Sequence, residues 1–155
     1  MITINIDGAP IAWKRPGQRK IGCEVYTYDP QKKEKEQIRW QMRAEYREDL
    51  LKVPLKVDIK YFLPIAKSAS KKRHQQMRED FIKPMKRPDI DNCAKFTLDC
   101  MTGCIFSDDS QITELNLKKQ YSDCPRTSIK IFPFSNNIAP EPDDDDELDD
   151  FYSDK

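Results

Sequence analysis

The chain has 155 residues, 37% of them hydrophobic and 35% charged, with a formal net charge of zero. This length suits one domain with a real core, and the lack of any apolar run of about 18 residues argues against a membrane span. The start, MITINIDGAP, lacks the basic and apolar parts of a secretory signal, the five cysteines form no CxxC pair, and the single histidine is His74. We therefore expect a cytoplasmic, reduced protein without a zinc site.

The zero net charge hides an uneven distribution. Residues 141–155 hold nine acids and one base, which leaves 26 Lys and Arg against 18 Asp and Glu, a charge of +8, in residues 1–140. A basic body predicts a polyanionic partner, although an ordinary solvated surface would carry the same charge. We predict a domain over residues 1–134 and a disordered acidic tail over 135–155. That tail could cover a basic cleft, dock on a replication or recombination protein, or act only as a solubiliser.

The first half of the chain predicts a strand, a loop, a helix and a second strand. ITINIDG alternates isoleucine with polar residues, which is typical of a half-buried strand. A basic loop follows, with a short extended piece over residues 25–28. Asp29 and Pro30 favour a helix start, and an apolar residue recurs every fourth position up to Leu50, so we expect the helix to end near Leu51. LKVDIKYFL alternates again and predicts a strand.

The second half predicts one more main helix and two closing strands. We expect the basic segment PIAKSASKKRHQQMREDFIKPMKRPD to be exposed and mobile, with at most a short helix capped by Ser70. Asp91 as N-cap and Gly103 as stop predict a helix over about residues 92–102. ITELNLKKQY and TSIKIFPF predict the closing strands. The order predicts an α+β fold, a small mixed β-sheet with two main helices.

A polar seam runs along the predicted helix. Asp91, Lys95, Asp99 and Thr102 share one stripe, while nearly all other positions are apolar or small. A solvated face is the alternative, but such a face is usually wider. Asp99 lies about 12 Å from Asp91 along the axis, so we expect it to pair with Lys95 or to line a site from a distance.

Further acids flank the helix on both sides. Asp89 precedes it, and Asp108 and Asp109 follow Gly103 closely enough for an extended return to bring them beside Asp89 and Asp91. Carboxylates that converge raise one another's pKa unless a cation compensates them. Oxygen donors favour Mg²⁺, with Mn²⁺ as a substitute, and a nearby lysine suits phosphodiester hydrolysis.

The whole stretch RPDIDNCAKFTLDCMTGCIFSDDSQI resembles the core motif of the RusA family of Holliday-junction resolvases. The likeness extends to GAPIAWKRP as an N-terminal basic loop, to SASKKRHQQM as a basic segment before the motif, and to KKQYSDCPRTSIKI as closing strands. It covers roughly residues 1–134. One departure is Cys93, where the family usually has leucine.

The resemblance implies residue roles and a reaction. Metal-binding acids fall on Asp89, Asp91 and Asp109, with Asp108 beside them, and the essential lysine falls on Lys95. It further implies a Mg²⁺-dependent endonuclease that acts in DNA recombination and repair. A homodimer would nick two symmetric strands of a four-way junction or other branched DNA. A non-catalytic branched-DNA-binding module and a metal-dependent phosphohydrolase of small nucleotides are the alternatives.

Basic residues outside the motif are candidates for DNA backbone contacts, although each could equally be a solvated charge. The candidates are Lys14, Arg15, Arg19, Lys20, Lys71, Lys72, Arg73, Lys86 and Arg87. For the aromatic residues Phe62, Trp13 and Trp40, packing in the core or a dimer interface is favoured over stacking on bases. The thiols of Cys93, Cys100 and Cys104 are expected to be small buried groups.

Overall fold

The computed structural model describes residues 1–134, so the predicted acidic tail lies outside the described residues. The described part contains six strands and three α-helices, and one 3₁₀ turn spans Asp109–Gln111. In chain order these are β1 Ile2–Asp7, β2 Gly17–Ile21, β3 Glu24–Tyr28, α1 Lys32–Glu45, β4 Leu55–Pro64, α2 Lys71–Arg78, α3 Ile90–Met101, β5 Ile112–Ser122 and β6 Arg126–Pro133. None of these helices is long and apolar enough to cross a membrane.

Four of the strands form one mixed sheet in the order β1-β6-β4-β5. β6 pairs antiparallel with β1 and β4, whereas β4 and β5 are parallel. A parallel pair needs a long crossover, and residues 65–111, which include α2 and α3, supply it. This confirms the predicted α+β fold with a small mixed sheet.

Helices α1 and α3 cover one face of this sheet. Ile38 and Met42 of α1 and Phe96 of α3 belong to the same buried cluster as the strand residues Ile4 and Ile59. Burying a side chain of this size contributes about 1.5–3 kcal/mol, so the helices are held mainly by this shared core. The predicted burial of Cys93, Cys100 and Cys104 is confirmed.

The basic segment before the motif is better ordered than predicted, because it is anchored at both ends of α2. The Ser70 hydroxyl accepts a hydrogen bond from the Arg73 N–H at 3.3 Å. Met77 is 6% exposed and packs with Leu63, Ile65 and Tyr121. The short helix capped by Ser70 is therefore confirmed, most of its residues are exposed as expected, and Met77 ties it to the end of β4 and to β5.

Other differences concern element boundaries. α1 ends at Glu45, because Tyr46 is extended and its hydroxyl donates to the Asp49 carbonyl at 2.7 Å. α3 begins one residue after Asp89, which takes the N-cap position predicted for Asp91. The loop after β1 contains a two-stranded hairpin, β2 with β3, rather than a single extended piece, and most of its residues are exposed.

Candidate functional site

The start of α3 presents the first pair of motif acids. Asp89 is the N-cap residue but makes no side-chain capping hydrogen bond, and Asp91 lies in the first turn. Both side chains are exposed. Burial raises the pKa of the Cys93 thiol to about 11, and among the smaller effects Lys119 lowers this pKa while Asp89 and Asp91 raise it. The two carboxylates therefore face solvent, while Cys93 in the same turn of α3 is buried in the core.

Lys119 of β5 positions the loop that leads into Asp89. Its ammonium donates to the Lys86 carbonyl at 2.9 Å and to the Pro88 carbonyl at 3.1 Å. This role of Lys119 has no signal in the sequence, because nothing in the strand pattern KKQY distinguishes it from its neighbour Lys118. The sheet thus fixes the backbone just before the first motif acid.

The N-terminal basic loop lies against the same turn of α3. The backbone N–H of Trp13 donates to the backbone carbonyl of Asn92 at 2.9 Å. Gln31, which is 1% exposed, accepts from the Lys14 N–H at 2.8 Å and donates to the Ala12 carbonyl at 2.9 Å. The role of Gln31 was also missed, since a glutamine next to a predicted helix start carries no signal of long-range hydrogen bonds. Residues 12–14 are therefore held firmly beside α3.

Lys95 extends from α3 over this loop. Its Nζ atom lies 3.5 Å from the centroid of the Trp13 ring, which is close enough for a cation–π contact. Trp13 itself is half-buried and packs against the core cluster. The favoured assignment of Trp13 to packing is thus confirmed, with the added finding that its ring faces the motif lysine.

Asp108 and Asp109 lie in a separate turn before β5. Gln111 organises this turn, because its side-chain oxygen accepts from the Ser107 and Asp108 N–H groups at 3.0 Å each. A side-chain hydrogen bond between the two acids lowers the pKa of Asp108 and raises the pKa of Asp109. Asp99 also raises the pKa of Asp109 by charge repulsion, so these three acids share one neighbourhood.

The two acidic groups lie at opposite ends of α3. The chain turns sharply after the helix, with the Gly103 N–H bonded to the Phe106 carbonyl at 2.8 Å, so the predicted extended return does not form. β5 reaches the loop before Asp89 only at Lys119, and the seven steps from Ile112 to Lys119 span about 23 Å. In residues 1–134 no three His, Cys, Asp or Glu side chains come together to hold a metal ion. The predicted convergence of four carboxylates is therefore wrong for a single chain, while their roles as ligands stay predictions.

Asp99 has a different partner from the one predicted. Its carboxylate lies 3.7 Å from the Lys35 ammonium, which also binds Asp29 at 2.8 Å. Asp99 thus pairs with Lys35 of α1, and Lys95 contacts Trp13 instead.

Comparison with known proteins agrees with the motif. Residues 7–132 match the family described as Endodeoxyribonuclease RusA. The chain belongs to the RusA family. It is 30% identical over 134 residues to the uncharacterized protein YqaN of Bacillus subtilis (strain 168), covering 84% of this chain and 94% of that protein. It is also 30% identical over 129 residues to the crossover junction endodeoxyribonuclease rusA of Lactococcus phage r1t, covering 81% and 92%. The family resemblance is confirmed, and endodeoxyribonuclease is the class of activity it supports.

The basic candidates of this RusA-family chain lie at the surface, and two of them share a pocket. Arg73 and Lys86 line a pocket of about 370 Å³ with Ser68 and Ser70, and the Lys86 ammonium lies 5.7 Å from the Tyr121 ring centroid. All nine candidates for phosphate contacts are exposed, namely Lys14, Arg15, Arg19, Lys20, Lys71, Lys72, Arg73, Lys86 and Arg87. Exposure keeps them accessible to DNA, and their contacts with it stay predictions.

The other two aromatic candidates differ in their surroundings. Phe62 is 8% exposed beneath Arg126, whose guanidinium lies 3.8 Å from its ring centroid, so this residue is part of the packed interior. Trp40 on α1 is 77% exposed. Core packing is thus confirmed for Phe62, and a place for Trp40 in a dimer interface stays a prediction.

Proposed function

We propose that this RusA-family protein is a Mg²⁺-dependent endodeoxyribonuclease that resolves four-way DNA junctions by paired symmetric nicks. The observation that carries the proposal is the exposed Asp89/Asp91 pair, with Lys95 one turn along α3, in a chain that matches the family over residues 7–132. The phage relative named as a crossover junction endodeoxyribonuclease supports the branched-DNA substrate.

The donor chemistry fits a hard divalent cation. Asp89, Asp91, Asp108 and Asp109 offer oxygen atoms alone, and the nearby Cys93 thiol is protonated at neutral pH because its pKa is raised to about 11. Mg²⁺ and Mn²⁺ prefer such carboxylates together with water. The metal would activate water and offset charge on the phosphate. Lys95 would hold a phosphate oxygen, since it is an exposed residue of the same helix.

A second copy of the chain would complete the site. β5 is an edge strand of eleven residues, and its residues 113–116 are all exposed. Such an edge is a template for pairing with another strand. If two β5 strands paired antiparallel around Leu115 and Asn116, the start of one strand would meet the end of the other.

Pairing of two β5 strands would account for the distance between Asp89 and Asp91 on one side and Asp108 and Asp109 on the other within one chain. Lys119, in the second half of β5, holds the loop before Asp89, while Asp108 and Asp109 precede the start of β5. Each of two equivalent sites would then receive Asp89 and Asp91 from one copy and Asp108 and Asp109 from the other. Two symmetric sites suit two symmetric nicks in a junction.

The experiment compares the wild-type protein with Asp91→Asn on synthetic four-way junctions and linear duplex, with and without Mg²⁺. We expect symmetric nicks in the junction by the wild type alone and with metal alone. Asp7→Asn is the matched control, because this exposed aspartate lies on β1, outside the motif, and the variant should still cut. Cutting by Asp91→Asn would reject the site, and metal-independent binding without cutting would favour a binding module. Hydrolysis of free nucleotides but not junctions would favour the small-molecule phosphohydrolase.

Mixing two inactive variants tests the shared site. Asp91→Asn and Asp109→Asn proteins should each fail to cut, and their refolded mixture should regain nicking, because a mixed dimer has one intact site. A site built within one chain would leave both sites of every mixed dimer defective. Continued inactivity of a mixture that is shown to contain mixed dimers would therefore contradict the two-copy arrangement.

A further inference from the structure

Asp91 and Lys95 do not form the ion pair that their spacing favours. An acid and a lysine four residues apart on a helix face each other and normally attract. In the described residues, neither side chain belongs to any salt bridge. The Lys95 ammonium lies instead 3.5 Å from the Trp13 ring centroid.

Trp13 can hold the ammonium because its own position is fixed. The backbone N–H of Trp13 donates to the Asn92 carbonyl. The buried Gln31 side chain forms hydrogen bonds with the backbone on both sides of Trp13, at Ala12 and Lys14. The indole also packs against the core cluster. An indole face at this distance attracts an ammonium more strongly than an exposed carboxylate one turn away does.

We propose that Trp13 is a positioning residue that keeps Lys95 away from Asp91. The proposal rests on the function proposed above, in which Asp91 binds the metal and Lys95 the phosphate. Holding the ammonium on the indole leaves the Asp91 oxygens without a competing lysine. The indole occupies one side of the ammonium, so N–H donors remain for a phosphate oxygen.

Direct metal binding tests this role. Mn²⁺ affinity is measured by electron paramagnetic resonance for the wild type, Trp13→Leu and Trp13→Phe, each with and without Lys95→Met. Trp13→Leu should weaken Mn²⁺ binding by about two- to threefold, since it frees the ammonium to pair with Asp91. Trp13→Phe keeps an aromatic face and should retain most of the affinity.

The Lys95→Met background separates positioning from a general structural effect. Without the ammonium, Trp13→Leu should leave Mn²⁺ affinity unchanged, because there is no charge to redirect. An equal loss of affinity in both backgrounds would overturn the proposal, and so would no loss in either. A wild-type protein that neither binds Mn²⁺ nor cuts junctions would overturn the proposed function itself.

Fluorescence checks the contact without relying on a leucine variant that could fail to fold. The chain has two tryptophans, so Trp40→Phe leaves Trp13 as the sole indole. In this protein, adding Lys95→Ala should shift the Trp13 emission and increase its quenching by acrylamide, because the Lys95 side chain no longer covers the ring. Unchanged emission and quenching would overturn the contact.

Discussion

Replacing Gln31 by leucine would remove the side chain that ties the N-terminal loop to α1. The change leaves the Lys14 N–H and the Ala12 carbonyl without their partners at 2.8 and 2.9 Å. An unpaired buried backbone group costs about 1–3 kcal/mol, and partial access to water places both groups near the lower end. We therefore expect a loss of about 2–3 kcal/mol in the free energy of unfolding.

Urea unfolding followed by circular dichroism measures this loss. At a slope of roughly 2 kcal/mol per molar urea, the midpoint should fall by about 1 M. Junction cutting should also drop in the folded variant, because residues 12–14 carry Trp13 beside Lys95. Gln37→Leu is the matched control, since Gln37 is exposed on α1 and should change the midpoint little. A Gln31→Leu midpoint equal to that of Gln37→Leu would refute the reasoning.

Three further predictions concern the α2 region and the thiols. Met77→Ala should reduce stability by about 2–4 kcal/mol and release the amide protection of α2, measured by hydrogen exchange, because Met77 is buried. Hydrogen bonds from Lys83 and then Lys118 lower the pKa of Asp80, so Asp80→Asn should be less stable than wild type at pH 7. That difference should shrink as the pH falls through the lowered pKa. In the native protein at pH 8, a thiol reagent should modify Cys23 and Cys124 and spare the buried Cys93, Cys100 and Cys104.

Each of these three predictions has its own control. Met85→Ala removes a side chain that is 97% exposed, and an equal loss for both methionine variants would contradict the packing of α2. Asp80 has a φ angle of 63°, which asparagine also adopts well, so backbone strain should not confuse the pH comparison. A constant stability gap between pH 7 and acid would contradict the ion-pair explanation. Five reactive thiols in urea but two in the folded protein would confirm that folding protects the others.

Local patterns in the sequence were enough for most elements. The alternation in ITINIDG and LKVDIKYFL predicts β1 and β4 because burial of one strand face repeats every second residue. The capping signal was less decisive for α3, because Asp89 and Asp91 are both suitable N-cap residues. In the structure Asp89 takes the N-cap position. α2 was underestimated because its single buried residue, Met77, produces no visible apolar stripe.

The family motif, the main strands and helices, and the chemical type of the site can all be read from the chain before it folds, because they depend on residue types and short spacings. The tertiary structure separates Asp89 and Asp91 from Asp108 and Asp109, because β5 runs back along α3 before it reaches the loop that leads into Asp89. It also decided that Lys95 contacts Trp13, since that contact depends on a loop held by Gln31 from a distant part of the chain.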